Sequence, residues 1–320
     1  MSAVPAVTIE RTDLALPAAD LEAAAAFARN EKAPATRAAY RADFGLFRAW
    51  CDAKGVDALP ASPETVAAFL AHEADQGSAA STITRRCAAI RYAHRLADLE
   101  PPTSSERVRA TLRGIRRTVG AAPARKAPVL AETARAMSLS ATDGLKGIRD
   151  RALLLLGFAG AFRRSELVAL DVADLEETED GFKIIIRRSK TDQEGHGETI
   201  AIVRGGATCP VKAVKAWLQT AGISDGPLFR PVAKGGRVGA RRLTGKSVCD
   251  LVKAYAERLG LKAADFGAHS LRAGFLTSAA RRGASVFKMR DVSRHKSMDV
   301  LQAYVRDADM FRDHAGAGLL

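Results

Sequence analysis

Aromatic residues are scarce in this sequence. They fill 6% of its 320 positions, although hydrophobic residues as a whole reach 47%. Cores must therefore be built mainly from Ala, Leu, Val and Ile, a composition that leans toward helices. Cysteine is scarce too. Cys51, Cys87, Cys209 and Cys249 are scattered without the paired spacing of a zinc site, and they read as small buried hydrophobes in a reducing cytosol. There is no long apolar run. The most apolar stretch, Ala152 to Phe162, is far too short to span a bilayer. Met1 to Glu10 lacks the basic-then-apolar pattern of a secretory signal. These absences predict a cytoplasmic chain with no membrane partner. Asp and Glu are not clustered as a pair of Mg²⁺ ions would require. Gly245-Lys246-Ser247 invites a phosphate-loop reading, but five residues rather than four separate Gly239 from Gly245, and no strand precedes it. Thr244 reads instead as a helix cap. No metal, nucleotide or other cofactor is expected.

Acidic residues are also in deficit. Lys and Arg number 49 against 36 Asp and Glu, for a formal net charge of +13. A chain this basic usually meets a polyanion, of which nucleic acid is the commonest, although a basic but otherwise ordinary enzyme would share the charge. The excess is uneven. Residues 10–76 hold 7 basic and 11 acidic side chains, whereas residues 77–128 hold 11 basic and 3 acidic.

At about 150 residues per domain, the length suggests two domains. Residues 1–18 read as a loose arm, followed by a helical bundle over 19–119 with segments near 20–30, 35–54, 63–76, 80–98 and 104–118. Ser62-Pro63-Glu64 offers a cap followed by a proline in the first turn, and Gly55 and Gly77 sit where helices should stop. Ile83, Cys87, Ile90, His94 and Ala97 form a stripe at helical spacing, which makes His94 a packed histidine rather than a ligand. Arg37, Arg41 and Arg48 share one helix face, which suits either a grip on a DNA backbone or a solvated surface. Residues 120–128, with two prolines and two cations, read as a linker. The second domain, 129–320, opens with helices near 131–140 and 146–160. A β-branched run at 181–188 and a second strand at 198–203 flank a polar hairpin turn. Helices return near 210–221, 244–260, 269–282 and 297–305. The fold class is mainly α with a small antiparallel β-sheet in the C-terminal domain.

Without metal or nucleotide patterns, an enzyme acting on nucleic acid must rely on side-chain cations and a side-chain nucleophile. Such a set exists. Phe162-Arg163-Arg164-Ser165-Glu166-Leu167 follows an apolar helix, and His269-Ser270-Leu271-Arg272 opens another. Ser293-Arg294-His295 is followed by Tyr304, nine positions beyond His295, and Lys190 lies in the hairpin turn. Each has an ordinary alternative. A tyrosine on a late amphipathic helix is usually core, turn lysines are commonly exposed, and the arginines could be surface cations. Yet Arg163 would be costly to bury unpaired, and two arginines from distant parts of the chain could clamp one phosphate through bidentate hydrogen bonds. Glu166 reads as ordering such a site rather than reacting. His196 and His314 read as solvent-exposed.

Taken in order, these residues resemble the tyrosine recombinases, also called the phage-integrase family, of the two-domain Xer or Cre kind. Arg163 to Leu167 matches the family's first box, with Asp174-Leu175 downstream. His269 and Arg272 match His-x-x-Arg, His295 and Tyr304 match the late histidine and the tyrosine, and Lys190 falls at the hairpin lysine, with Lys183 a poorer alternative. The resemblance covers residues 129–310; over 20–118 it rests on helical character and charge. One departure stands out: the usual Leu-Gly before the late histidine is Ser293-Arg294 here. Arg163 and Arg164 are adjacent, and only the motif register selects Arg163.

The resemblance implies a core-DNA-binding (SAM-like) helical domain and a catalytic domain clamped around double-stranded DNA carrying a specific target site. Tyr304 would be the nucleophile, forming a 3′-phosphotyrosyl link that leads to strand exchange through a Holliday junction, without metal or ATP. Arg163, Arg272 and His295 would stabilise the transition state, with Lys190 as general acid and His269 as base or positioning group. A homotetramer on two DNA sites is implied. Arg37, Arg41, Arg85, Arg91, Arg125, Lys126, Arg241 and Arg242 are the candidate DNA contacts. The arm before the first helix is short for the extra DNA-binding domain of larger phage integrases. A non-catalytic DNA-binding protein of the same fold and a type IB topoisomerase-like enzyme are the alternatives.

Overall fold

The computed structural model describes residues 17–29, 31–120, 126–187, 197–310 and 316–317. The chain divides into two compact units, Met1–Ala124 and Arg125–Leu320.

The first unit is helical: α1 (Ala18–Arg29), α2 (Pro34–Lys54), α3 (Pro63–Asp75), α4 (Ala80–Leu96) and α5 (Glu106–Val119). Local chemistry sets the boundaries. Gly55 ends α2 in the left-handed region at φ 65°, where a residue without Cβ is unstrained. The Ser62 hydroxyl accepts from the Thr65 N–H and caps α3, with Pro63 in its first turn. The few aromatics are concentrated where they matter. Phe47 and Phe69 meet edge-on at 5.0 Å inside a core that also holds Leu70, Ile83, Ile90 and Val108. His94 is fully buried; its Nδ1 donates to the Ile90 carbonyl at 2.9 Å and its Nε2 accepts from the Ala61 N–H at 3.0 Å. It is a packed histidine, as its place on the apolar stripe implies.

The second unit places α6 (Ala131–Leu139), α7 (Leu145–Ala159) and α8 (Arg164–Ala169) before a three-stranded antiparallel sheet in the order β1 (Leu175–Glu177), β2 (Gly181–Ile186), β3 (Glu198–Val203). Then follow α9 (Pro210–Ala221), α10 (Gly245–Arg258), α11 (His269–Arg281), α12 (Val286–Ser293) and α13 (Met298–Ala308). The apolar helix α7 runs through the core, and Ala152 to Leu156 are all buried against neighbours that include α6, α9 and α11. Phe182 pairs with Ile202 and Ile184 with Ile200, so the inward face of the hairpin joins the same core. The Thr244 hydroxyl accepts from the Ser247 N–H and caps α10, which accounts for Gly245-Lys246-Ser247 without a phosphate loop.

Three elements have no counterpart in the sequence reading: α8, β1 and α12. They span six, three and eight residues, too few for a periodic signal to stand out. The last three helices close around a satellite core of Leu276, Ala280, Met289 and Leu301, on which Tyr304 packs. No helix among the described residues is long and apolar enough to cross a membrane.

Residues leading into α6 are laid along α11. The Val129 N–H donates to the Ser270 carbonyl at 2.9 Å and the Ala131 N–H to the Ser278 hydroxyl at 3.0 Å. The approach is possible because Gly274 faces it: a Cβ there would fall on the Val129 carbonyl. Gly274→Ala should therefore destabilise this unit by about 1–3 kcal/mol, the usual cost of overpacking, and lower its denaturant midpoint. An unchanged midpoint would show that the segment slides away at no cost.

Candidate active site

The site is built on the turn between α7 and α8. Gly160, Ala161 and Phe162 reverse the chain, with Ala161 at φ 43°, uncommon for a residue with a Cβ. Arg163 is then the N-cap of α8 and Glu166 lies in its first turn. Glu166 is 2% exposed. Its Oε2 accepts from the Arg163 backbone N–H at 2.9 Å, closing the helix start, and its Oε1 accepts from Arg163 Nη1 at 2.6 Å. A third donor reaches it from far along the chain: Arg294 Nη2 donates to Oε2 at 2.9 Å. Burial works to raise the Glu166 pKa, but Arg294 and Arg163 outweigh it and hold the carboxyl below its ordinary value.

Arg272, one turn into α11, is 1% exposed. Its Nη1 donates to the Ala161 carbonyl at 2.6 Å, tying α11 to the same turn. Burial, then the guanidiniums of Arg163 and Arg294, push its pKa down to about 9, so it still carries its charge at neutral pH. Arg272 Nη2 lies 3.1 Å from Nδ1 and 3.2 Å from Nε2 of His295. A guanidinium can only donate, so the ring beside it must offer an unprotonated nitrogen. The electrostatics agree: burial, Arg272 and Arg163 drive the His295 pKa down to about 3. The buried Ser293 hydroxyl, 2.9 Å from Nδ1, fixes the ring from behind. His269 opens α11, and its pKa is lowered by burial, Arg272 and Arg163. Tyr304 lies half-buried on α13, close enough for its phenolic charge to act on Arg272.

Arg163, His269, Arg272, His295 and Tyr304 thus converge from four separate helices or their ends. Lys190, Arg125, His196 and His314 lie outside the described residues. Arg163 faces the site, whereas its exposed neighbour Arg164 lies against Gly245 and lines a pocket beside His269, together with Lys126 and Lys253. The Lys126 ammonium donates to the Ala264 carbonyl at 2.5 Å. Lys183 pairs with Glu176 on the neighbouring strand at 3.3 Å.

The remaining candidate DNA contacts differ in how far they are engaged. Arg41 and Arg241 are exposed, and Arg37 is partly buried. Arg85 forms a two-point pair with Asp43 at 2.7 and 3.0 Å, and Arg91 Nε donates to Thr103 at 3.0 Å. Arg242 is a half-buried strut. It donates to the Val168 and Leu170 carbonyls at the end of α8 and pairs with Asp171 at 2.6 Å, in a cluster that Arg187 and Asp174 complete. No group of three or more His, Cys, Asp or Glu among the described residues is placed to hold a metal ion.

Comparison with known proteins gives this geometry its family. The phage integrase family model matches residues 130–310, and the phage integrase N-terminal SAM-like domain matches residues 26–101. The chain belongs to the phage integrase family, the tyrosine recombinases. An integrase/recombinase XerD homolog of Selenomonas ruminantium is 41% identical over 290 residues, covering 89% of this chain and 85% of that protein. The recombinase Cre of Escherichia phage P1 is 26% identical over 281 residues, covering 82% and 80%. Among solved structures, the Tn1549 transposon integrase in complex with transposon right end DNA has a TM-score of 0.61 over 91% of this chain and 96% of that one, at 15% identity. A lambda integrase dimer bound to a core site has a TM-score of 0.61 over 89% and 93%, at 16% identity. These two show the same fold.

The depressed histidines give this tyrosine recombinase a pH signature. On acidification the unfolded chain protonates its histidines first, near the ordinary value of 6.5, while folded His295 stays neutral to about 3. Stability should therefore fall as pH drops below about 6.5, by at most about 1.4 kcal/mol per unit for one such group. In His295→Gln the thermal midpoint should fall less steeply between about pH 7 and pH 5 than in the wild type. Parallel curves would mean that the ring is not held neutral.

Proposed function

We propose that this tyrosine recombinase cleaves and rejoins double-stranded DNA at a specific target site, with Tyr304 as nucleophile. The phenolic oxygen attacks the scissile phosphorus, the bond to the 5′-oxygen breaks, and a 3′-phosphotyrosyl link holds the phosphoester until the 5′-hydroxyl of a partner strand reverses the step. Strand exchange then runs through a Holliday junction. Bond energy is conserved, so the cycle needs no ATP, and side-chain cations take the charge-stabilising place a metal would otherwise fill.

One observation carries this reading: three guanidiniums, Arg163, Arg272 and Arg294, gather beside Tyr304 around one carboxylate, Glu166, which pairs with only two of them. Such a site lacks negative charge. A phosphate supplies it, and the pentacoordinate transition state, with more charge on its equatorial oxygens, supplies more. Arg163 and Arg272 are assigned to those oxygens. His295, held neutral, acts as a hydrogen-bond donor rather than a cation. His269, with its lowered pKa, is a neutral imidazole suited to taking the phenolic proton. Lys190, the general acid for the 5′-oxygen, is assigned from the motif alone.

Residues 19–119 form the core-DNA-binding domain in this reading and residues 129–320 the catalytic domain, joined by 120–128. Arg37, Arg41 and Arg241 are assigned to the DNA backbone, and the pocket lined by Lys126, Arg164 and Lys253 to phosphates flanking the scissile one. The working assembly is a homotetramer on two DNA sites, in the cytoplasm. The relatives' names support the activity: Cre is a recombinase, and the Tn1549 integrase was captured on transposon-end DNA.

The test uses nicked duplexes that trap covalent product, drawn from DNA flanking the gene, and denaturing gels. Wild type should form a protein–DNA adduct in chelator and without nucleotide. Tyr304→Phe should form none while keeping its duplex affinity within about twofold, since only the nucleophile is lost. Binding without an adduct on any occupied fragment would overturn the enzymatic reading in favour of a non-catalytic DNA-binding protein. Relaxation of supercoils by a lone monomer would favour a type IB topoisomerase.

A further inference from the structure

Arg294 is absent from the roles assigned so far to reacting groups, and its placement needs a reason. It ends α12 in the left-handed region, φ 58° and ψ 42°, with its N–H donating to the Arg290 carbonyl at 2.7 Å. That conformation favours glycine and strains a residue with a Cβ. The side chain is nevertheless taken inward and is 2% exposed, although two other guanidiniums already occupy the site. It lies over the Phe162 ring at 5.3 Å and donates to the Gly160 and Ala161 carbonyls as well as to Glu166. Its own carbonyl accepts from Arg163 Nη2 at 3.1 Å.

Arg294 therefore holds Arg163 from two directions. Its carbonyl fixes one terminal nitrogen of Arg163 directly. Its guanidinium fixes Glu166, whose other oxygen fixes the second terminal nitrogen. The same guanidinium binds the turn that carries Arg163, next to the carbonyl that Arg272 also uses. There is an electrostatic consequence as well. Without Arg294 the Glu166 carboxylate would face Arg163 alone and largely neutralise it. With Arg294 present, that single negative charge is divided between two cations, and Arg163 keeps more of its field for an incoming anion.

We infer that Arg294 is a positioning residue that sets both the orientation and the effective charge of Arg163. The inference rests on the reading of Arg163 as a phosphate-binding group. Ser293-Arg294, in place of the Leu-Gly pattern, is then an added brace on the site rather than a defect in it.

The test is a set of single-turnover adduct assays at saturating nicked duplex, with duplex affinity measured alongside. Arg294→Lys keeps the charge but loses the fork. It should slow adduct formation by about 10- to 100-fold, the scale of a small misplacement at a reacting centre, with affinity within about twofold of wild type. In an Arg163→Lys background, the same change should add little, because its route to the phosphate is already gone. Arg294→Gly relieves the backbone strain, and if it folds, added guanidinium ion should restore part of its rate. Equal slowing by Arg294→Lys in both backgrounds would overturn the inference, as would a wild-type rate in Arg294→Lys. So would loss of affinity in proportion to rate. A wild-type chain that forms no adduct would instead overturn the proposed activity itself, and this inference with it.

Discussion

The catalytic unit depends on one carboxylate. Glu166 is buried and accepts from the Arg163 guanidinium, the Arg163 backbone and the Arg294 guanidinium. Two buried guanidiniums and a third partly buried one around one turn would be prohibitive by themselves, since each loses hydration and repels the other two. Glu166 makes the cluster possible, and it does so as part of the helix it starts. The same oxygen that takes Arg294 takes the backbone N–H of Arg163, the N-cap of α8. Electrostatics and helix capping are therefore one interaction, and the orientation of Arg163 is tied to the direction of a helix rather than left to a loop.

Strain gathers at the same place. Among the described residues, Asp98, Ala161 and Arg294 are the non-glycine residues with positive φ, and two of the three border this cluster. Ala161 turns the chain sharply enough to aim its carbonyl at Arg272, and Arg294 turns it so that its carbonyl meets Arg163. Glycine would relax either position, but it would bring no guanidinium at 294. Strained backbone of this kind persists only where its surroundings over-determine it. Here the surroundings are the arginines that the turns serve to place.

Much of this was legible in the sequence, and the limits have physical causes. Residues tied to a local rule could be read directly. Ser62 and Thr244 cap helices, His94 follows an apolar stripe, and the β-branched run read at 181–188 supplies the strand 181–186 that pairs with 198–203. The spacing of Arg163, His269, Arg272, His295 and Tyr304 carried the family. What could not be read were properties set by partners distant in sequence. Arg242 reads as a DNA contact, and nothing near it in sequence shows that the α8 carbonyls and Asp171 also engage it. Arg85 reads the same way, and its pair with Asp43, 42 residues away, is equally invisible in the sequence. Arg294 looked like a break in a motif. Its meaning depends on Glu166, 128 residues earlier in the chain, and no periodicity links the two. The short elements α8, β1 and α12 escaped for the opposite reason: they are held by the packing around them, not by patterns of their own.

The arrangement also bears on why such a site should favour a transition state over a bound phosphodiester. Three guanidiniums against one carboxylate leave an excess of two positive charges, and burial first, then the guanidiniums of Arg163 and Arg294, hold Arg272 well below its ordinary pKa. A phosphodiester brings one negative charge and relieves it in part. In the proposed mechanism, attack by the phenolate adds a second, so the match of charge is reached only as the new bond forms. Stabilisation that grows along the reaction coordinate lowers the barrier, whereas equal binding of both states would not. The neutrality of His295 fits the same logic. A further positive charge would strengthen binding of the ground state, while a neutral ring braced by Ser293 and Arg272 contributes direction without further charge.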